Sequence, residues 1–399
     1  MEQVNEKIIP YGRQHITDDD IAAVVNSLRS DFLTQGPEVG HFERNFATYV
    51  DAPFAVAVAN GTAALHLSVL ALGLRPGQKV ITTPITFSAT ANAVRYLGGD
   101  VHFADIDPTT NLIDIAAVGQ LLAESPKGTY AGVIPVDFAG RAVNLQELRL
   151  LADEYDMWII SDSCHAPGAY FIDSNGHRQL CGNGHFADLT VFSFHPVKHI
   201  AAGEGGMITT RDKELFEKLT MLRTHGIVRT PDSFHNTVAL AGGDEDYPAW
   251  YMEMQELGFN YRLTDLQAAL GNSQLKRAAQ GSIRRRALAA VYTAAFAGKD
   301  YVYNLSGDVE GHAYHLYVLE VKDRLGLYNY LRAHHIFAQV HYFPVHLMPY
   351  YQAQGWRAGD LPCAEAYYKN CLSLPLFPTL SDDDQQRVIQ LIEAYYSSA

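Results

Sequence analysis

Between Phe54 and Thr210 the chain alternates two patterns. Short, nearly continuous apolar runs are separated by stretches in which apolar residues recur every three or four positions. "FAVAV" reads as a strand, and "NGTAALHLSVLAL" as a turn and helix. "KVITTP" is a strand and "SATANAVRYL" a helix; "DVHFADI" is a strand followed by a helix near Ile113–Ala123. "AGVIPV", "MWIISD", "DLTVFSF" and "GGMITT" complete the strands, with "NLQELRLLADEY" as a further helix. Repeated βα units predict a mainly parallel sheet buried on both faces. Ligands of such sheets sit beyond the carboxyl ends of the strands.

The pattern changes in the last third. "TDLQAALGNSQLKRAAQGSIRRRALAAVYTAAF" reads as a long helix, broken near Gly271 or Gly281. Beyond Tyr301 the order is "HLYVLEV" strand, "LGLYNYLRAH" helix, "FAQVHY" strand, then helices near Ala364 and over Asp382–Tyr396, an α+β arrangement. The expected division is a large domain over residues 1–270 and a connecting helix with a smaller domain over 271–399. A chain of 399 residues, 48% hydrophobic, is long enough for two cores. The loop "GGDEDYP" is expected to be solvated.

Charge and composition narrow the classes. A formal net charge of −14 argues against non-specific nucleic-acid binding. Four cysteines, with no CxxC spacing, suit neither a disulfide framework nor a zinc site. "MEQVNEKIIPYGRQ" lacks the basic-then-apolar pattern of a signal peptide. The uncharged stretch from Ala52 to Leu74 is interrupted by Asn60, Gly61, Thr62 and His66, so it reads as strand, turn and helix rather than a membrane span. The expectation is a cytoplasmic protein without a membrane segment.

Candidate chemistry lies at strand ends. Asn60, Gly61 and Thr62 stand between a strand and a helix, where backbone amides form a seat for a phosphate. Alone they are an ordinary turn and cap. Asp162 ends "WIISD", with His165 three residues on. Alone it is a turn cap; in a site, it is an ionised acid able to hold a cationic ring nitrogen. Lys198 follows "DLTVFSF" in "FSFHPVKHIAAGEGG" and is either a loop charge or a reactive amine. With Phe87 as a stacking face and Ser193 as a phosphate donor, the set matches what pyridoxal phosphate requires.

The segments "NGTAAL", "PITFSATANA", "SDSCHAPGA", "FSFHPVKHIAAGEGG" and "GFNYRLTDLQAALG" resemble the DegT/DnrJ/EryC1/StrS sugar aminotransferases, from Ile9 to Leu380. The resemblance implies a fold-type I α/β aminotransferase: a large domain with a mostly parallel central sheet flanked by helices, plus a smaller α+β C-terminal domain. "FSFHPVKHI", "RTHGI", "EMQELGFNYRLTD" and "QVHYFPVHLMPYY" are most similar to the pseudaminic-acid branch. Enzymes of that branch aminate C4 of a UDP-linked 4-keto-6-deoxy N-acetylhexose.

By that resemblance the Schiff-base lysine falls on Lys198, the pyridine-nitrogen partner on Asp162, and the residue nearest the phenolic oxygen on His165. Phe87 matches the stacked aromatic; Gly61, Thr62 and Ser193 match phosphate contacts. Asn260 matches an asparagine that reaches the neighbouring subunit's phosphate, which implies a homodimer with shared active sites. The cofactor is expected to alternate between pyridoxal and pyridoxamine phosphate, with L-glutamate as donor. Arg229 is a candidate for a diphosphate or carboxylate, and is otherwise a surface charge. His341, Tyr342 and His346 are expected near the sugar, and no metal is expected. The chain departs from the usual pattern at Ser161, where glutamate is common, and at Ala201 and Ala202, where threonines are common. Two alternatives remain within this reading: a perosamine- or bacillosamine-type 4-aminotransferase, and a cofactor-binding regulatory protein. A dehydratase of the same family has histidine at the lysine position, and Lys198 argues against it.

Overall fold

The computed structural model describes residues 7–398. Seven strands form the central sheet: β1 (Phe54–Val58), β2 (Lys79–Thr82), β3 (Asp100–Phe103), β4 (Tyr130–Ile134), β5 (Trp158–Asp162), β6 (Leu189–Ser193) and β7 (Gly206–Thr210). Their order is β1-β7-β6-β5-β4-β2-β3. All pairs are parallel except those of β7, which runs antiparallel to both β1 and β6.

The strand interiors are apolar on both sides because helices cover both faces. Neighbouring residues divide between two cores: Ile81, Val133 and Ile159 face one, and Val80, Ile134 and Ile160 the other. This is the two-residue period of a pleated strand applied to a doubly covered sheet. The Gly61–Ala71 helix is apolar nearly all round, with Leu65, Leu67 and Val69 buried. Such a helix has no solvent face and fixes its N-terminus against the sheet.

A second, antiparallel sheet contains β8 (Val302–Leu305), β9 (Tyr317–Val321) and β10 (Cys371–Leu374), in that order. The Arg324–Ala333 and Asp382–Ser397 helices pack with it around a separate core that includes Tyr317, Leu327 and Ile392.

Two local expectations change. The long helix is two, Asp265–Leu275 and Ala278–Phe296, and the break is at neither glycine. A Cβ on Gly271 would lie 2.7 Å from the Phe42 ring, so this glycine permits close helix packing rather than a break. Arg277 instead pins the junction, donating to Asp20 and to the His15 carbonyl. Of "FAQVHY" only Phe337 lies in a strand, the short Ile336–Phe337, which pairs with Ile9–Pro10. Gln339 bridges to Ser373, and the chain then leaves the sheet edge toward the cavity described below. In the loop "GGDEDYP", Asp244, Glu245 and Asp246 are exposed. Among the described residues, no helix is long and apolar enough to cross a membrane.

Candidate active site

The carboxyl ends of β1, β5 and β6 open onto a cavity of about 460 Å³. Register explains why they coincide. Gly206, the first residue of β7, stands opposite Val58 at the end of β1 and Ser193 at the end of β6. Lys198 follows on the loop between β6 and β7, and its main-chain N–H is bonded to the His195 carbonyl at 2.9 Å.

The Gly61–Ala71 helix begins at this wall. Asn60 caps it, accepting from Ala63 N at 2.8 Å. The cap leaves the Gly61 and Thr62 amides among the helix's orphan donors, which suits an anion. A side chain on Gly61 would sit 3.1 Å from Ser193 Cβ and 3.5 Å from its Oγ. Glycine therefore keeps a cradle open between the helix and the hydroxyl. Gly61→Ala is expected to weaken cofactor affinity about tenfold, since a crowded anion seat loses roughly one charge-assisted bond. Fluorescence titration with pyridoxal phosphate measures this.

Asp162 is 5% exposed. Its Oδ2 accepts from Thr90 Oγ1 at 2.8 Å, and Oδ1 from Cys164 N at 3.2 Å. Thr90 is in turn 2.8 Å from Thr86 Oγ1. Below it, Asp137 donates its N–H to the Asp162 carbonyl at 3.0 Å. The Asp137 carboxyl is raised to about 6, chiefly by burial. Ser161 points to that lower layer, its Oγ 3.3 Å from Asp137 Oδ2, so the departure from glutamate falls outside the cavity. Ala201 and Ala202 are also buried and do not line it.

Lys198 is lowered from 10.5 to about 8, foremost by loss of water around its amine; Cys164 and Asp162 oppose the shift and Arg285 adds to it. At pH 7 such a lysine is about 10% neutral, against about 0.03% for an ordinary one. The Cys164 thiol lines the same cavity, but burial, and then Asp162, push it up, leaving it a neutral wall.

His165 Nδ1 accepts from Ala139 N at 3.2 Å, which puts the proton on Nε2. Nε2 lies 3.3 Å from Tyr342 Oη. Burial, then Lys198, holds this imidazole well below its ordinary 6.5, so it works as a neutral donor. His341 is lowered to about 3 by burial and then by Lys198, and its Nδ1 is 2.9 Å from Ser373 Oγ. Phe87, 62% exposed, stands at the mouth with its ring centroid 6.4 Å from that of Tyr342.

The cavity thus gathers Lys198, Asp162, His165, Gly61, Thr62, Ser193, Phe87, His341 and Tyr342. His341 and Tyr342 are neighbours, yet both line it, because the segment has left strand geometry by that point. Three expected residues lie elsewhere. His346 is fully buried outside the cavity, Nε2 3.2 Å from Glu365 Oε1, and its ring packs near Phe103 and Trp356. This corrects its expected place near the sugar: it is a core residue paired with a carboxylate. Arg229 is exposed just past Ile227–Val228, and Asn260 is exposed, its backbone bridged to Thr224; neither reaches this chain's own cavity. Thr90, Thr86, Cys164 and Tyr11 line it without having been singled out from sequence. The four-residue spacing of Thr86 and Thr90 was the one available signal. Among the described residues no cluster of His, Cys, Asp or Glu is placed to hold a metal.

An amine with a depressed pKa, a buried carboxylate, an exposed aromatic face and an open anion cradle fit pyridoxal phosphate. On this α/β fold they define a pyridoxal-phosphate-dependent aminotransferase. The chain belongs to the DegT/DnrJ/EryC1/StrS aminotransferase family, whose model matches residues 14–393.

Relatives agree along the whole chain. The spore coat polysaccharide biosynthesis protein SpsC of Bacillus subtilis is 36% identical over 401 residues, covering 98% of each chain. The UDP-4-amino-4,6-dideoxy-N-acetyl-beta-L-altrosamine transaminase of Campylobacter jejuni strain 81-176 is 33% identical over 390 residues, covering 96% of each. Among solved structures, Helicobacter pylori PseC, an aminotransferase involved in the biosynthesis of pseudoaminic acid, superposes with a TM-score of 0.86 at 29% identity, over 98% of this chain and 100% of that one. Spr1654 of Streptococcus pneumoniae, solved in PLP and PMP forms, gives TM-scores of 0.85 and 0.87. The protein is a sugar aminotransferase.

Proposed function

We propose that the enzyme transfers an amino group from L-glutamate to C4 of UDP-2-acetamido-2,6-dideoxy-β-L-arabino-hex-4-ulose, a step toward pseudaminic acid. The observation that carries this reading is the cavity wall made by His341 and Tyr342. It comes from "QVHYFPVHLMPYY", one of the segments most similar to the pseudaminic-acid branch. The Campylobacter altrosamine transaminase and the Helicobacter aminotransferase of pseudoaminic acid biosynthesis, both similar along the whole chain, support it.

When bound, pyridoxal phosphate supplies an aldehyde for the lysine and a protonated ring that takes up electrons from the donor's C–H bond. Each residue then has a definite task. Asp162 holds the proton on the ring nitrogen, because a buried carboxylate beside that nitrogen favours its cationic form. Gly61, Thr62 and Ser193 seat the phosphate. His165 presents a neutral N–H to the phenolic oxygen. Lys198, once freed by the amino donor, moves the proton from the donor carbon, and later delivers one to sugar C4. Asn260 serves the partner's cavity in a symmetric dimer, and Arg229 is the candidate for the diphosphate or the donor's carboxylate.

Attachment of the cofactor needs the neutral amine. Its rate with cofactor-free protein is expected to rise about tenfold per pH unit below about 8 and level off above, as stopped-flow absorbance would report. A plateau reached only above pH 10 would contradict a depressed lysine.

A second reading has its own support: SpsC, at 36% identity, is named for spore coat polysaccharide. On that reading the acceptor is another nucleotide-linked 4-keto-6-deoxy sugar. One experiment separates them. L-Glutamate bleaches the yellow band of the purified enzyme, and candidate sugars are then added. Return of the band with the L-arabino 4-keto sugar, and not with its D-xylo isomer, supports the pseudaminic-acid substrate. The opposite preference overturns it.

A further inference from the structure

We propose that His315 is a positioning residue for Lys198: its Nε2 accepts one N–H of the amine and so leaves the amine's lone pair for the cavity. The inference rests on the reading of Lys198 as the reactive amine. His315 Nε2 is 3.4 Å from Lys198 Nζ. Lys198 lines the cavity and His315 does not, so the bond draws one side of the nitrogen away from the reacting space.

Three further observations point the same way. First, His315 is 4% exposed and its Nδ1 has no partner among the described residues. A buried ring nitrogen without a partner is costly, and an apolar ring would fill the space without that cost. What a histidine adds here is Nε2.

Second, the ring is held from several sides. Its centroid is 4.4 Å from that of His165 and 5.8 Å from that of His199. The His315 carbonyl accepts from Arg285 Nη1 at 3.2 Å, and Arg285 is itself 1% exposed.

Third, the backbone that presents it is strained. Tyr314, just before it, has φ 48°, and Ala139, which bonds His165, has φ 58°. Both lie in the left-handed region that side chains avoid. Between them a Cβ on Gly140 would be 2.9 Å from the His165 carbonyl and 3.0 Å from His315 N. Strain of this kind persists where the surroundings over-determine a geometry, commonly at active sites. Here it locks His165 and His315 against each other.

The role is aiming and not proton storage. Burial first, then Lys198, His165, His199 and Arg285, keep His315 well below its ordinary 6.5, whereas Lys198 titrates at about 8. A shared proton therefore stays on the lysine. An acceptor beside the amine also favours its ammonium form, which gives the test a sign.

The test compares His315→Phe and His315→Gln with wild type. Lys198 in cofactor-free protein is pulse-acetylated across pH and its peptide quantified by mass spectrometry. Cofactor attachment and glutamate bleaching are timed on the same proteins. For His315→Phe the expected result is a Lys198 pKa below the wild-type value, with attachment and bleaching each slowed about tenfold. His315→Gln, which keeps an acceptor, is expected to recover to within about threefold. A merely structural role would let water in and raise the lysine toward 10.5 in both variants, and that outcome overturns the proposal. So does a His315→Phe protein within twofold of wild type at every pH. If His315→Phe does not fold, the glutamine variant decides, with wild-type titration supporting the proposal and a raised pKa overturning it. If no protein, wild type included, attaches the cofactor at Lys198, it is the reading of the lysine that fails.

Discussion

Lys198→Ala is expected to lower transamination at least about 10⁴-fold, because on the proposed function one atom serves as both the covalent anchor and the proton carrier. The variant should bind pyridoxal phosphate without developing the band that glutamate bleaches. Its fold should survive. Its amine lies 3.4 Å from His315 Nε2, and its charge is poorly solvated, so removing it relieves a penalty. The His315 Nε2 left without that partner offsets the gain, so melting of the cofactor-free variant is expected close to the wild-type temperature, measured by circular dichroism. A variant that still transaminates within tenfold of wild type would return Lys198 to the status of a loop charge. For a cofactor-binding regulatory protein, the same substitution would leave partner binding intact.

Asp162→Asn is expected to cost about 10³-fold in the rate of bleaching, with the sugar KM nearly unchanged. The amide is the same size and sits in the same place, but it carries no charge to hold the ring proton. It also presents an NH₂ to a site whose neighbours, Thr90 Oγ1 and Cys164 N, both donate. Thr90→Val removes one of those donors and leaves the charge. One bond to an ionised group is worth about 1.5 kcal/mol, so that variant should lose only about tenfold. Equal losses for the two variants would mean that Asp162 acts through its hydrogen bonds and not its charge. Single-turnover bleaching distinguishes the cases.

Much of this architecture is written locally. "FAVAV", "WIISD" and "DLTVFSF" are short apolar runs between polar breaks, and they became β1, β5 and β6 with nearly those limits. Asp162 and Lys198 were legible as candidates because strand ends are where such folds present chemistry, and one cavity takes both. His315 was not. It stands 117 residues from Lys198 in "GHAYHLYVLEV", a segment that reads only as the approach to a strand. Its proximity depends on how the second sheet docks, which no local period encodes. His346 shows the converse error. In "HYFPVHL" it looks like one more histidine for the sugar, and only the packing turns it inward to Glu365. The helix break failed for a related reason: Gly271 serves the neighbouring Phe42 ring, not the helix containing it.

The antiparallel insertion of β7 has a consequence for how the chain is made. β1 is an edge strand whose one partner in the seven-stranded sheet is β7. It therefore leaves the ribosome well before the strand that will hold it. Some 150 residues separate them, about ten to thirty seconds of synthesis at ordinary rates. For that interval "FAVAV" is an unpaired apolar edge of the kind that invites wrong partners. The phosphate seat on the following helix waits with it. Cofactor cannot stabilise the nascent first half, since the lysine and the strand that bring the seat into register emerge together at the end of the delay.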